Sequence, residues 1–177
     1  MAIKEILPLC KRRWALPVLG LLAAGHTARI YPLSQSLSCS RLAVKQAMDL
    51  LQSLGLIMAN SGHGHPLRPE YLLTSSGKNL AAKALLLWQN MQNNDDLVRG
   101  LYARWSLPIL LLSQQQVRFA QIRATLKPIT DRALSQSLSG LTKRKLLLRK
   151  VDITQHPPAC LYQTSRLGQQ LISPLIL

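Results

Sequence analysis

The sequence predicts a mostly α, α+β protein built from two tandem copies of one small domain. Three observations predict it. The 177-residue chain repeats itself at a spacing of about 91 residues, a polar and acidic break divides it, and each half carries the signals of three helices followed by two short strands. Arg13-Trp14-x-Leu16-Pro17 returns as Arg104-Trp105-x-Leu107-Pro108, and Arg29-Ile30 returns as Arg118-Phe119. Leu56-Ile57 returns as Leu146-Leu147. His65-Pro66, Tyr71, Gly77 and Leu80 return as His156-Pro157, Tyr162, Gly168 and Leu171. Common leucines alone do not return Trp, Pro, Tyr and Gly in the same order.

The elements of the first copy follow in order. Trp14 to Ala24 reads as a helix that tolerates Pro17 in its first turn, and Gly25 stops it. Pro32 to Leu37 is a short second helix. Ser38-Cys39-Ser40 offers an N-cap for a third helix to about Leu54, whose apolar residues Val44, Ala47, Met48, Leu51 and Leu54 keep helical spacing until Gly55. Leu56 to Ala59 and Glu70 to Leu73 read as strands around the turn Ser61 to Pro66. Thr74 or Ser75 then caps a long helix to about Met91. The second copy gives helices over Leu107 to Gln114, Phe119 to Leu126 and Asp131 to Lys143, the last capped by Thr130 with Leu134, Leu138 and Leu141 inward. Strands Leu146 to Val151 and Leu161 to Thr164 flank the turn Thr154 to Pro158, and a closing helix follows Gly168.

Three helices followed by a two-stranded hairpin is the winged helix-turn-helix order. The expected organisation is one such domain over 1–92, a polar junction at 93–96 and a second domain over 97–177.

Charge narrows the partner. Lys and Arg number 22 against 7 Asp and Glu, a net +15. Residues 1–92 carry +7 and residues 97–177 carry +10, with −2 in the break between them. Both halves therefore suit a polyanion. No apolar run reaches the roughly 18 residues of a membrane span, so no membrane partner is expected. Lys11-Arg12-Arg13 before an apolar stretch imitates a signal peptide, but the pattern recurs at Arg104-Trp105, deep in the chain, so both copies read as buried helices. The odd, widely spaced Cys10, Cys39 and Cys160 fit free thiols in a reducing cytoplasm.

At these residues the sequence resembles the HxlR-type winged helix-turn-helix transcriptional regulators, relatives of the MarR-like repressors. The second copy carries the helix-turn-helix signature, Val117-Arg118-Phe119-Ala-Gln-Ile122-Arg123-Ala-Thr-Leu126 followed by Ile129-Thr130-Asp131-Arg132-Ala133-Leu134-Ser135-Gln136-Ser-Leu138. The first copy carries the wing signature, Pro66-Leu-Arg68-Pro69-Glu70-Tyr71-Leu-Leu73-Thr74-Ser-Ser-Gly77. The resemblance implies a DNA-binding fold that usually occurs once per chain and dimerises. Two copies in one chain then imply an intramolecular pseudo-dimer, with further self-association left open. Cys10 stands closer to Trp14 than the family's usual cysteine does to its tryptophan, so that cysteine's redox role is not carried over.

The expected function is sequence-specific double-stranded DNA binding to regulate transcription, as a repressor that reads an imperfect palindrome with two recognition helices. Phosphate neutralisation supplies affinity and a helix in the major groove supplies specificity. In the first copy the helix face of Arg41 and Lys45, bordered by Gln46, points toward bases, with Ser38 and Ser40 at its N-terminus and Arg29 placed for a phosphate. Arg68 would reach a minor groove or its phosphates from the first wing. In the second copy Thr130, Arg132, Ser135, Gln136 and Ser139 occupy the corresponding surface, with Arg118 for a phosphate and Arg149, Lys150 and His156 on the wing. Leu42 stands where the second copy has Arg132, so the two heads are not equivalent. The plainer reading of any one of these side chains is a solvated helix face.

Other constellations are weaker. His63 and His65 lack a third and fourth metal ligand apart from Glu70, so no metal and no cofactor is expected. Cys39, near a helix N-terminus and Arg41, is a candidate redox thiol, with a half-buried turn filler as the plainer reading. Trp14, Trp88 and Trp105 leave open a small-molecule effector pocket between the halves, though such residues more often serve core or interface packing. No nucleophile elbow, phosphate-binding Gly loop or His-Glu-x-x-His is present, so enzyme activity is not expected. The alternatives to a specific regulator are a winged-helix protein–protein module and a non-specific architectural nucleic-acid binder.

Overall fold

The computed structural model describes residues 3–60, 70–91, 95–154 and 158–176. Its contacts divide the chain into two compact units, one of Leu9–Asn90 and one of Met91–Leu177 that also takes in Met1–Pro8. A first helix, α1 (Ile3–Leu9), runs across that division.

The first unit contains α2 (Ala15–Ala23), α3 (Ile30–Ser36), α4 (Arg41–Ser53), β1 (Ile57–Ala59), β2 (Tyr71–Leu73) and α5 (Ser75–Gln89). Gly25 and Gly55 both adopt positive φ and end the helices before them, as their lack of a Cβ allows. Helix α5 lies so close to α2 that a Cβ on Gly20 would stand 3.0 Å from the Ala84 carbonyl oxygen. Small residues set that approach, and Ala81 and Ala84 are fully buried. The predicted inner stripe of α4 is buried at Val44, Ala47, Met48 and Leu51. Leu54 departs from it: as the C-cap it lies beyond the packed turns and is exposed. Strands β1 and β2 pair antiparallel with Met58 opposite Leu72.

The second unit repeats the order with α6 (Asp95–Leu101), α7 (Ser106–Leu112), β3 (Val117–Arg118), α8 (Phe119–Thr125), α9 (Asp131–Lys143), β4 (Leu147–Asp152), β5 (Ala159–Thr164) and α10 (Arg166–Ile176). Leu134, Leu138 and Leu141 of α9 face inward as their spacing predicts, each burial contributing about 2 kcal/mol. The sheet runs β3-β5-β4, all antiparallel, with Arg149 opposite Tyr162 and Arg118 opposite Leu161.

Three features depart from the sequence expectation. Helix α6 begins inside the stretch read as a polar junction. Strand β3 is too short to leave a period of its own. Helix α10 takes in both Gly168 and the apolar tail, burying Pro174 and Leu175. Among the described residues no helix is long and apolar enough to cross a membrane.

The Thr-x-x-Gly of the first wing and its counterpart Ser-x-x-Gly have a common structural cause. Thr74 Oγ1 accepts from the Gly77 N–H (3.1 Å) and donates to the Gly55 carbonyl (2.7 Å). Ser165 Oγ accepts from the Gly168 N–H (3.0 Å) and donates to the Lys145 carbonyl (2.6 Å). Each hydroxyl thus caps the helix after the wing and ties it to the turn before the wing. Each glycine then presses on a backbone carbonyl, Gly77 on Leu56 and Gly168 on Leu146, where a Cβ would collide.

Candidate nucleic-acid interface

Helices α4 and α9 share one backbone frame. Ser40 Oγ accepts from the Ala43 N–H and Thr130 Oγ1 from the Ala133 N–H, each at 3.2 Å. That capping bond fixes the same register on both helices. Arg41 therefore corresponds to Asp131, Leu42 to Arg132, Lys45 to Ser135, Gln46 to Gln136 and Asp49 to Ser139.

The first position of each helix is pinned to the helix before it, by different chemistry. The Arg41 guanidinium lies over the Tyr31 ring of α3, 4.7 Å from its centroid. Asp131 instead takes an ion pair at 2.6 Å from Arg123 of α8. The second position is then the first outward side chain. Leu42 is 63% exposed there, a large apolar group in solvent. Arg132 is exposed, and no partner holds it among the described residues.

Farther along, the first helix is internally neutralised. Lys45 Nζ pairs with Asp49 Oδ2 at 2.8 Å, and that hydrogen bond holds the ammonium pKa above its usual value. Gln46 is half-buried and accepts from Arg12 Nη1 at 3.0 Å. The second helix has only exposed Ser135, Gln136 and Ser139 at these positions.

The wings place the remaining candidates. Arg149 of β4 turns toward α9, where it and Tyr162 line a groove of about 330 Å³ with Ser135, Ser139 and Lys143. Its Nη2 donates to Cys160 Sγ at 3.0 Å, a contact that raises the guanidinium pKa further. Strand alternation puts exposed Lys150 on the opposite face of the hairpin, away from that groove. Arg29, expected to await a phosphate, is exposed but reaches Glu70 at 3.9 Å. Arg118 is exposed, and its backbone N–H donates to Gln121 Oε1 at 2.8 Å, opening α8. Arg68, His63, His65 and His156 lie outside the described residues.

At the turn before α4, the cap expected from Ser38-Cys39-Ser40 is Ser40, and Ser38 is an exposed turn residue with φ of 47°. Cys39 does not gain acidity, because partial burial pushes its thiol pKa up, the direction that reduces thiolate reactivity. Sequence reasoning also passed over Lys143, which continues the four-residue spacing of Ser135 and Ser139 into the groove. Tyr31 and Arg123 carried no comparable signal, since their partners sit on another helix.

The family profile of HxlR-like helix-turn-helix proteins matches residues 9–96 and again residues 101–177. The chain belongs to the HxlR-like helix-turn-helix family. It carries the family's domain twice, and membership makes it a winged helix-turn-helix DNA-binding transcriptional regulator. No curated protein matches the sequence. A solved structure similar to part of the chain is that of a protein described as a transcriptional regulator of the MarR family from Enterococcus faecalis V583. It is 24% identical, covering 49% of this chain and 78% of that one, with a TM-score of 0.44.

Proposed function

We propose that this HxlR-like protein represses transcription by occupying an imperfect palindrome in duplex DNA, its two copies acting as an intramolecular pseudo-dimer. One observation carries the reading: two recognition helices with the same capped frame present unlike exposed faces in a chain of net charge +15. Lys and Arg neutralise phosphates and release counterions, which supplies affinity without sequence preference. Base edges are then read by the outward positions of α4 and α9. Arg132 suits the paired acceptors of guanine, and Gln136 the acceptor and donor of adenine. Ser135 and Ser139 take the remaining polar edges. Arg149 and Lys143 hold the backbone beside the second helix, Lys150 meets phosphate on the far side of its wing, and Arg118 meets one from the start of α8. In the first copy Lys45 and Arg41 serve the backbone, as does Arg29 once phosphate replaces Glu70.

The test is fluorescence anisotropy with duplex DNA from upstream of the gene, beside a scrambled duplex, across a salt series. The upstream duplex is expected to bind about a thousandfold more tightly than the scramble at physiological salt. Equal and steeply salt-dependent binding of both would point to an architectural protein. Absence of binding at low salt would overturn the nucleic-acid reading and favour an acidic protein partner.

A further inference from the structure

We infer that the two recognition helices read chemically different bases: Leu42 meets the C5-methyl group of a thymine where Arg132, in the same register of the second copy, meets a guanine. The inference rests on the DNA-reading function proposed above and says what each half of the site contains.

Three observations carry it. The first is register. The capping bonds Ser40–Ala43 and Thr130–Ala133 place Leu42 and Arg132 at the same second position of their helices. N-terminal residues of a recognition helix are those that contact base edges. The second is occupancy of the neighbouring positions. Arg41 is stacked on Tyr31, Lys45 is paired with Asp49 and Gln46 accepts from Arg12. Three polar candidates of the first helix thus already have protein partners, while Leu42 projects an apolar side chain 63% into solvent. The third is chemistry. The major-groove edge of a base pair offers one apolar feature, the thymine methyl, and an aliphatic side chain gains by removing it from water. Arginine at the same position gains most from the two acceptors of guanine.

The consequence is an operator whose halves are unlike by construction: one led by thymine, one by guanine, centred about one helical turn apart. The first head contributes shape, methyl contact and backbone charge, and the second contributes hydrogen-bonded readout.

The experiment is selection from a random duplex library by the full chain, repeated with Leu42→Ala and Arg132→Ala. The intact chain is expected to enrich a thymine-led and a guanine-led half-site. Leu42→Ala relaxes the thymine alone, and Arg132→Ala relaxes the guanine alone. A second measurement replaces the selected thymine by uracil, which removes the methyl and leaves base pairing intact. That exchange should weaken binding of the intact chain about fourfold, the factor expected for one methyl returned to water, and leave Leu42→Ala unchanged. Because Leu42 is exposed, Leu42→Ala should melt with the intact chain, so any loss is read as recognition. Two identical guanine-led half-sites, or indifference of the intact chain to uracil, would overturn the inference while leaving specific DNA binding in place. Failure to enrich any sequence would overturn the specific-binding reading together with it.

Discussion

The first copy of the winged helix differs from the second less in backbone than in what its side chains do for one another. At the start of the recognition helix the first copy uses a cation over an aromatic ring, and the second an ion pair across two helices. Beside the wing, Arg29 and Glu70 face each other where the second copy pairs β3 with β5 through Arg118 and Leu161. A side-chain contact in one copy thus stands where the other has a backbone ladder. The comparison teaches that a duplicated domain keeps its packing and caps, where the cost of change is steric, and diverges on its polar face, where exposed pairs are worth little to stability. Divergence there changes what the face can bind.

The glycines at the wings give the sharpest way to break the likeness. Gly77→Val and Gly168→Val each force a side chain into a backbone carbonyl. Each should cost about 3 kcal/mol or more, and urea denaturation would measure it. If only one of the pair were destabilising, the two wings would not share a packing cause.

Cys10 offers a second contrast, since the second copy has buried Leu101 at the matching place. Burial pushes its thiol from 9.0 up to about 12. The folded state therefore keeps the thiol protonated. Its contribution to stability is complete below pH 9 and is lost as pH rises from 9 toward 12. At pH 8 a thiol reagent should modify Cys39 and Cys160 well ahead of Cys10, as peptide mass mapping would show.

The heads can then be made more alike. Asp49→Ser gives the first helix the residue found at Ser139 and releases Lys45 from its ion pair. Binding to any duplex should tighten a few-fold at low salt, and the salt dependence should steepen by about one phosphate contact. The matching charge removal, Lys45→Ala in the intact chain, should weaken binding less than Arg132→Ala, which is expected to cost about tenfold on the specific duplex. Anisotropy on one duplex across salt compares all three.

The smallest effect lies at the turn before each wing. Lys145 holds φ of 59° where the first copy has Gly55 at 67°. Lys145→Gly should gain about 0.5 kcal/mol, the left-handed strain relieved less the entropy glycine adds to the unfolded chain, and Gly55→Ala should lose about 1 kcal/mol. Thermal melts distinguish the signs.

Much of the fold is legible in the sequence. The repeat is visible because Trp, Pro, Tyr and Gly return in the same order, and at Gly77 and Gly168 a Cβ would collide with backbone. The stripes of α4 and α9 follow from spacing alone. Helices α1 and α6 are not legible, because Pro8 interrupts the pattern of the first and the acidic start of the second reads as linker. At the site, Lys45–Asp49 has the spacing of a helical ion pair and could have been anticipated. Arg12–Gln46 joins residues far apart in sequence, and Arg149 reaches its groove only through the strand register. Those depend on tertiary placement that local spacing does not encode.

Both heads should engage DNA, and engage it differently. Hydroxyl-radical footprinting of the full chain on its selected duplex tests this most directly. Two protected tracts about 34–36 Å apart on one side of the duplex are expected, over unlike sequences. Leu42→Ala should weaken protection of one tract and Arg132→Ala the other. A single protected tract, unchanged by Leu42→Ala, would contradict it.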